Sequence, residues 1–452
     1  MSQTDRLRAA GDAASSREER ISALRALVRE NPGLGPGGAS VPPPTGEVNN
    51  HVHTIYSFSP YTPSMAAWKA RDSGLSAAGS VDHDSVGAAE EMLEACSILG
   101  IGGTVGFELR VSFLDTPFAG RKTNNPDSVG ISYMTVQGIP RSALRASAEF
   151  LAPVAVARGA RNRKTTAAVS AILAAAGFEA IDYDRDVLPL SKAAEGGSVT
   201  ERHILAAAAL SILRRLPAGP GLVEGLARSF DMTAPARVAL WLSDPANPHL
   251  LYDLIGLLKS GFLDRVFVQP GPEECFPAKT VAAFARGIGA IPAYAYLGDV
   301  AESPTGDKKA EKFEDDFLDD LVPLLAELGF QAITYMPPRN TAAQLARVRA
   351  LAARHGLMEI SGVDINSSRQ SFNCPEVLEP ANRHLVDATW ALIAHEKLSG
   401  LDPRYGLFSP DNPRAGLALA ERIAVYARIG RAIDTRDPEN PGALGRLWRR
   451  EK

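Results

Sequence analysis

The segments Val48-Asn-Asn-His51-Val-His53, Gly79-Ser-Val-Asp82-His83-Asp84 and Thr104-Val-Gly-Phe-Glu108 decide the reading of this chain. Each is a short, largely apolar run that ends in imidazole or carboxylate groups. Between them lie stretches of helical composition at 63–72 and 86–99. Strand, helix and strand in alternation predict parallel pairing through helical crossovers. In a barrel built this way the carboxyl-terminal strand ends share one face, and that face carries the active site. Side chains alternate along a strand, so His51 and His53 are predicted to point to the same side.

Working outward, strands are predicted at 48–52, 77–81, 103–109 and 131–136. From 141 to 216 the apolar residues recur at helical spacing, in 142–156, 164–176 and 201–213, which predicts a helical insertion. Alternation then resumes, with strands at 237–242, 265–268, 291–296, 331–335 and 357–363 and helices at 252–259, 278–286, 315–328 and 342–355. Residues 18–30 carry Ile21, Leu24 and Leu27 on one side of a helix, and the Pro/Gly-rich stretch 32–44 reads as a connector. The expected organisation is an N-terminal helix and linker at 1–46, a barrel domain at 47–396, and a helical extension at 397–452 with a basic end at Arg446, Arg449, Arg450 and Lys452.

At 452 residues, 45% hydrophobic and 22% charged, the chain has ample core material. One barrel of ~250 residues with additions accommodates that length. A formal net charge of -4 gives no whole-chain attraction to nucleic acid or anionic membrane, so the expected partners are small molecules. Cys96, Cys275 and Cys374 stand far apart without CxxC spacing, which argues against a zinc ribbon and a disulfide framework. No segment has signal-peptide character and no apolar run approaches ~18 residues, so a cytoplasmic location is expected. The oligomeric state is left open.

Taken singly, each chemical segment has a plain structural reading. An HxH pair can be structural, Asp82 can cap a helix while His83 faces solvent, and Glu108 can pair with Arg110. Their order on consecutive strand ends favours metal chemistry, because imidazole and carboxylate are the side chains that hold a hard or borderline divalent cation.

In that order the chain resembles the PHP family, the polymerase and histidinol phosphatase domain. His51-Val-His53-Thr-Ile-Tyr-Ser57 resembles its first motif, Ser80-Val-Asp82-His83-Asp84-Ser-Val its second, and Gly106-Phe-Glu108 its third. Thr200-Glu-Arg202-His203-Ile204 resembles the Arg-x-His-Ile segment of the branch that hydrolyses small phosphate esters. Ile291-Pro-Ala-Tyr-Ala-Tyr296 takes the place of a strand ending in Ala-His-Pro, and Ser361-Gly-Val-Asp364-Ile-Asn366 that of a final Gly-Ser-Asp-x-His. The resemblance spans about residues 47 to 370.

The resemblance implies an α/β fold of PHP type, a distorted (β/α)7 TIM-like barrel with a helical insertion, and metal-dependent hydrolysis of a phosphate ester, here of a small phosphorylated metabolite or nucleotide. Carried over by position, His51, His53, Glu108 and Asp364 form one metal site, Glu108 bridges to a second ion held by His203, and His83 belongs to a third. Phe58 and Asn366 replace two ligands of that third site, Tyr133 is the expected stand-in for a histidine on the strand after Glu108, and Tyr296 replaces the histidine of Ala-His-Pro. Phenylalanine cannot coordinate, asparagine offers a neutral oxygen, and a phenol of pKa ~10 is a poor ligand. One or two divalent ions (manganese, zinc or iron) are therefore expected rather than three. Asp364 is the expected group that orients a metal-activated water, and His83 the expected acid for the leaving oxygen.

Arg110 and the cluster Arg158, Arg161, Arg163 and Lys164 are candidates for gripping phosphate, with a solvated helix face as the plain alternative. His249, His355, His384 and His395 read as structural, and Gly33 to Gly38 reads as linker because no Lys-Ser/Thr follows it. Two further readings stand beside the phosphoesterase. One is a PHP-like protein with a degenerate site kept for ligand binding or as a scaffold. The other is a nuclease-like relative, against which the acidic balance and the absence of an aromatic and basic groove pattern argue.

Overall fold

The computed structural model describes residues 2–31, 44–125, 127–299 and 314–451. Nearly all of the expected connector, Gly33 to Gly38 included, lies outside the described residues. Among the described residues, seven strands pair in sequence order: β1 (Val48–Val52), β2 (Ala77–His83), β3 (Gly102–Ser112), β4 (Ile131–Gln137), β5 (Ile291–Ala295), β6 (Ala332–Tyr335) and β7 (Met358–Ser361). They form one curled sheet, and the architecture is a barrel-like mixed α/β fold. All five residues of β1 are buried, as expected for a strand covered on both faces.

Two helices, α1 (Gln3–Gly11) and α2 (Arg17–Glu30), precede the sheet, and α3 (Pro63–Asp72) and α4 (Ala89–Leu99) cross over between the first three strands. Local chemistry sets these crossovers. Thr62 accepts the Met65 N–H ahead of Pro63 at the first turn of α3, and Gly100, at φ 70°, ends α4 in the left-handed conformation. Between β4 and β5 run α5 (Leu144–Ala175), α6 (Glu201–Arg215), α7 (Pro220–Phe230), α8 (Ala236–Ser243), α9 (Leu250–Val266) and α10 (Ala278–Gly287). Helices α11 (Leu318–Leu328) and α12 (Ala342–His355) serve β6 and β7, and α13 (His384–Leu401), α14 (Leu419–Ala432) and α15 (Pro441–Arg450) form the tail.

Several expectations are corrected. Strand β4 is antiparallel to both β3 and β5, whereas the other pairs are parallel. Among the described residues no crossover helix separates β3 from β4, and a chain that turns back without one returns antiparallel. The predicted strands at 237–242 and 265–268 fall instead on α8 and on the end of α9. A short apolar run fits either element, and here the helical excursion supplies its own core, with Val169, Leu173, Ile204, Leu242, Leu254 and Phe262 packed together. Helical structure therefore continues to Val266, well past 216. The two helices expected in 142–176 are one, α5, with Pro153 inside it and Arg158 and Asn162 on its buried side.

The sheet curls until its first and last strands meet. His53 N–H donates to the Ile365 carbonyl at 2.9 Å, and Ile365 N–H donates to the His51 carbonyl at 3.2 Å. Ile21, Leu24 and Leu27 of α2 pack into the main core with the crossover helices. No helix of the described residues is long and apolar enough to cross a membrane.

Candidate active site

Register brings the chemical residues together. In the parallel pair of β2 and β3, His83 stands beside Glu108. The bridge between Val52 and Ile365 sets the segment carrying Asp364 against His51 and His53. Gly362 permits this approach, since a Cβ there would lie 2.5 Å from the His51 Cβ.

His51, His53 and Glu108 are buried, and each offers a ligand atom within 4.8 Å of the other two. Glu108 Oε2 lies 3.9 Å from His51 Nε2, 3.8 Å from His53 Nε2 and 3.2 Å from His83 Nδ1. His53 Nε2 is also 3.0 Å from Asp364 Oδ1. His53 is oriented by Ser57 and Asp82. Ser57 Oγ donates to Asp82 Oδ1 at 2.6 Å, so its lone pair faces His53 Nδ1 at 3.3 Å. That arrangement places a proton on Nδ1 and turns Nε2 toward the cluster, as outer hydrogen bonds do for metal-ligating histidines. Asp82 is thus no helix cap. Burial raises its pKa, while Thr54 and Ser57 donate to its carboxylate.

The electrostatics suit a cation. Burial, with His53 beside it, lowers the His51 pKa to about 4, so this imidazole is neutral and its lone pair is free. Its Nε2 is buried with no hydrogen-bond partner among the described residues, a state that costs ~1–3 kcal/mol. Burial pushes Glu108 up to about 7. Burial also opposes charge on Asp364, yet His53 and His51 hold it well below the usual carboxylate range. On His53 burial is outweighed by Asp364 and Glu108, which raise its pKa. Neutral imidazole beside two carboxylates is the donor set that takes a borderline divalent ion, and one placed among His51, His53 and Glu108 satisfies the orphaned nitrogen.

The cluster opens into a cleft of about 260 Å³ that His53, His83, Glu108 and Asp364 line together with Phe58, Arg110, Tyr133, Arg158 and Arg161. Three guanidinium groups converge there on Glu274, which is 2% exposed. Arg161 grips it with Nε and Nη2 at 2.6 and 2.8 Å, Arg158 Nε lies 3.1 Å away, and Arg110 Nη1 lies 3.3 Å away. Desolvation opposes the Glu274 charge, but these arginines hold its pKa at about 2. Asp84, in the left-handed conformation at φ 50°, faces Arg158 Nη1 at 2.5 Å. Arg110 also donates to Tyr133 Oη at 3.1 Å, opposite it across β3 and β4.

Two expected site residues stand elsewhere, as does Tyr296 at the place of a replaced ligand. His203 lies in the first turn of α6, where its Nδ1 accepts the Thr200 N–H at 3.0 Å and its ring meets the Phe58 edge at 4.9 Å. Accepting at Nδ1 leaves the proton on Nε2 of the neutral ring, the wrong tautomer for a ligand there. Arg163 is half-exposed and pairs with Asp184 at 2.5 and 2.7 Å, because two residues along a helix turn it ~200° from Arg161. Tyr296 is buried in the core and donates to Asp315 at 2.5 Å, while its neighbours Ala295 and Leu297 line the cleft. Glu274 and Asp82 were both missed. Asp82 had a signal in its alternation with His83, whereas Glu274 stands 116 positions from Arg158 with nothing local to mark it.

No family model matches the chain, and no curated protein matches it. Among solved structures, a protein of Bifidobacterium adolescentis assigned as a metal-dependent phosphoesterase matches with a TM-score of 0.46 and 18% identity, over 75% of this chain and 96% of that one. An amidohydrolase from Chromobacterium violaceum, with bound sulfate and no metal, matches with the same TM-score and identity over 75% and 95%.

Proposed function

We propose that this protein is a metal-dependent phosphoesterase of PHP type acting on a small phosphorylated metabolite or nucleotide. The observation that carries the reading is the buried His51, His53 and Glu108 cluster set in one cleft with the guanidinium wall. His51, His53 and Glu108 would hold a divalent ion (manganese, zinc or iron), with Asp364 at its edge. Such an ion, when bound, supplies Lewis acidity and a water whose pKa falls toward ~7. Asp364, kept ionised by its histidine neighbours, orients the attacking water. Arg110 and Arg161 draw the phosphoryl oxygens, with orientations already set by Glu274. His83 takes a different role from the acid expected of it. Burial, then His53 and Arg158, hold its pKa well below 6.5, so it is neutral at pH 7 and positions Glu108 through Nδ1.

The test is metal analysis of protein purified without added metal, followed by a phosphate-ester screen with manganese and zinc. Bound metal and turnover, both lost in Glu108→Gln, are expected. A metal-free protein with no turnover on any ester overturns the proposal in favour of a ligand-binding PHP-like protein, the reading to which Phe58 beside His203 and the pairing of Asn366 with Asp364 belong.

A further inference from the structure

The loop that carries Asp364 is built on two kinds of support. From inside, Gln370 ties it: Oε1 accepts the Asn366 and Ser367 N–H groups at 2.8 and 2.7 Å, and Nε2 donates to the Asp364 carbonyl at 2.6 Å. Asn366 Nδ2 donates to Asp364 Oδ1 at 2.8 Å, which sets the carboxylate itself. From outside, β1 holds it through the backbone bonds of Ile365 to His51 and His53, and the helical excursion adds side-chain ties. Arg202 of α6 donates to the Asn366 carbonyl at 3.2 Å and to its Oδ1 at 2.9 Å. Ser368 Oγ lies 2.8 Å from His249 Nδ1, just ahead of α9. Arg369 makes the strongest tie. It grips Asp253 of α9 with Nε and Nη2 at 2.6 and 2.8 Å, and its guanidinium lies 3.8 Å from the centre of the Trp241 ring on α8.

We propose that Arg369 is a positioning residue for Asp364, latching the loop at 364–370 to Asp253 and Trp241 of the helical excursion. A forked, stacked guanidinium fixes direction as well as distance, which a lysine at the same place does not. Arg369 touches neither the cleft floor nor a reacting atom. It acts through Gln370 and Asn366, whose hydrogen bonds hold the Asp364 carbonyl and carboxylate. The excursion is then part of the site's support and more than a cover over it. This inference rests on the proposed role of Asp364 at a metal, and outer partners of a metal ligand change affinity by about 10–100-fold when removed.

The experiment uses full-length protein dialysed against chelator, with two readouts: amide exchange at 366 and 367, and the Kd for zinc alone. In Arg369→Ala and in Asp253→Asn, protection at these amides falls and the zinc Kd rises on the order of tenfold. Arg369→Lys is intermediate in both, and Arg163→Ala, outside the cleft, matches the unaltered protein. Unchanged protection and zinc affinity in Arg369→Ala overturn the proposal, as does lost protection with unchanged zinc affinity. Loss of protection spread evenly over the sheet overturns it too, since that is general destabilisation. Should the unaltered protein bind no zinc, the functional reading fails separately, and the exchange readout still decides whether the latch exists.

Discussion

Two buried charged clusters, one between α2 and α4 and one at the ends of β1, β2 and β3, differ in one respect. Arg20 on α2 and Glu91 on α4 are both fully buried and fully paired. Arg20 Nε and Nη2 meet Glu91 at 2.9 and 2.6 Å, Ser64 adds N–H and Oγ donors to the same carboxylate, and the Ser15 carbonyl takes Arg20 Nη1. At the strand ends, His51 Nε2 has no partner and burial drives Glu108 to about 7. The first cluster is complete without anything added, which marks it as structural. The second keeps an unpartnered imidazole nitrogen beside a desolvated carboxyl, and such imbalance marks a candidate functional site.

The contrast can be broken from either side. The largest effect belongs to the complete cluster. Arg20→Ala leaves Glu91 buried and unpaired and lowers stability by about 3–5 kcal/mol in urea unfolding, with turnover per folded molecule unchanged. A loss under ~1 kcal/mol, the range of an exposed pair, would show that the two clusters are not so different. Next comes His53→Ala, which removes metal from the purified protein and lowers turnover by more than ~100-fold, since outer-shell changes alone cost about 10–100-fold. Metal retained at wild-type stoichiometry would remove the distinction between the clusters.

His83→Ala sharpens the comparison within the site. A neutral His83 that supports Glu108 predicts losses of about 10–100-fold that are equal for esters with good and poor leaving groups. A loss confined to poor leaving groups would restore its role as the acid. Glu108 gives a pH signature. Its folded pKa is raised from 4.5 to about 7, so the folded state binds the proton more tightly than the unfolded chain does. Its contribution is then fully present below pH 4.5 and is lost as pH rises through about 7. In chelator-treated protein, wild type should lose stability relative to Glu108→Gln across that window, and a wild type that gains stability relative to the variant there contradicts the assignment. The smallest effect is at Arg163, whose pair with Asp184 is exposed and screened by solvent, so Arg163→Ala should leave the unfolding midpoint and turnover unchanged.

The chemical segments on β1, β2 and β3 were readable because strand period, terminal residue type and crossover helix agree over 48–108, and the structure brings His51, His53, His83 and Glu108 into one cluster as that order implies. The excursion was misread where periodicity fails. Val238 to Leu242 suits a strand as well as a helix until Pro235 and the packing of Leu242 choose the helix. His203 was placed by motif alone, and a motif carries no information about which ring nitrogen holds the proton. That is set by the Thr200 N–H.

What the linear order of residues specified was local: which runs become strands and helices, and which of them end in imidazole or carboxylate. Those properties depend on neighbours a few positions apart. The pairing of Arg158 with Glu274, the seating of Asp364 between His53 and the Arg369 latch, and the antiparallel turn of β4 depend on residues far apart in sequence whose approach is set by the curl of the sheet and the packing of the excursion. Side-chain direction and proton position follow from those approaches, because a hydrogen bond or ion pair forms only within a few ångströms and at the right angle.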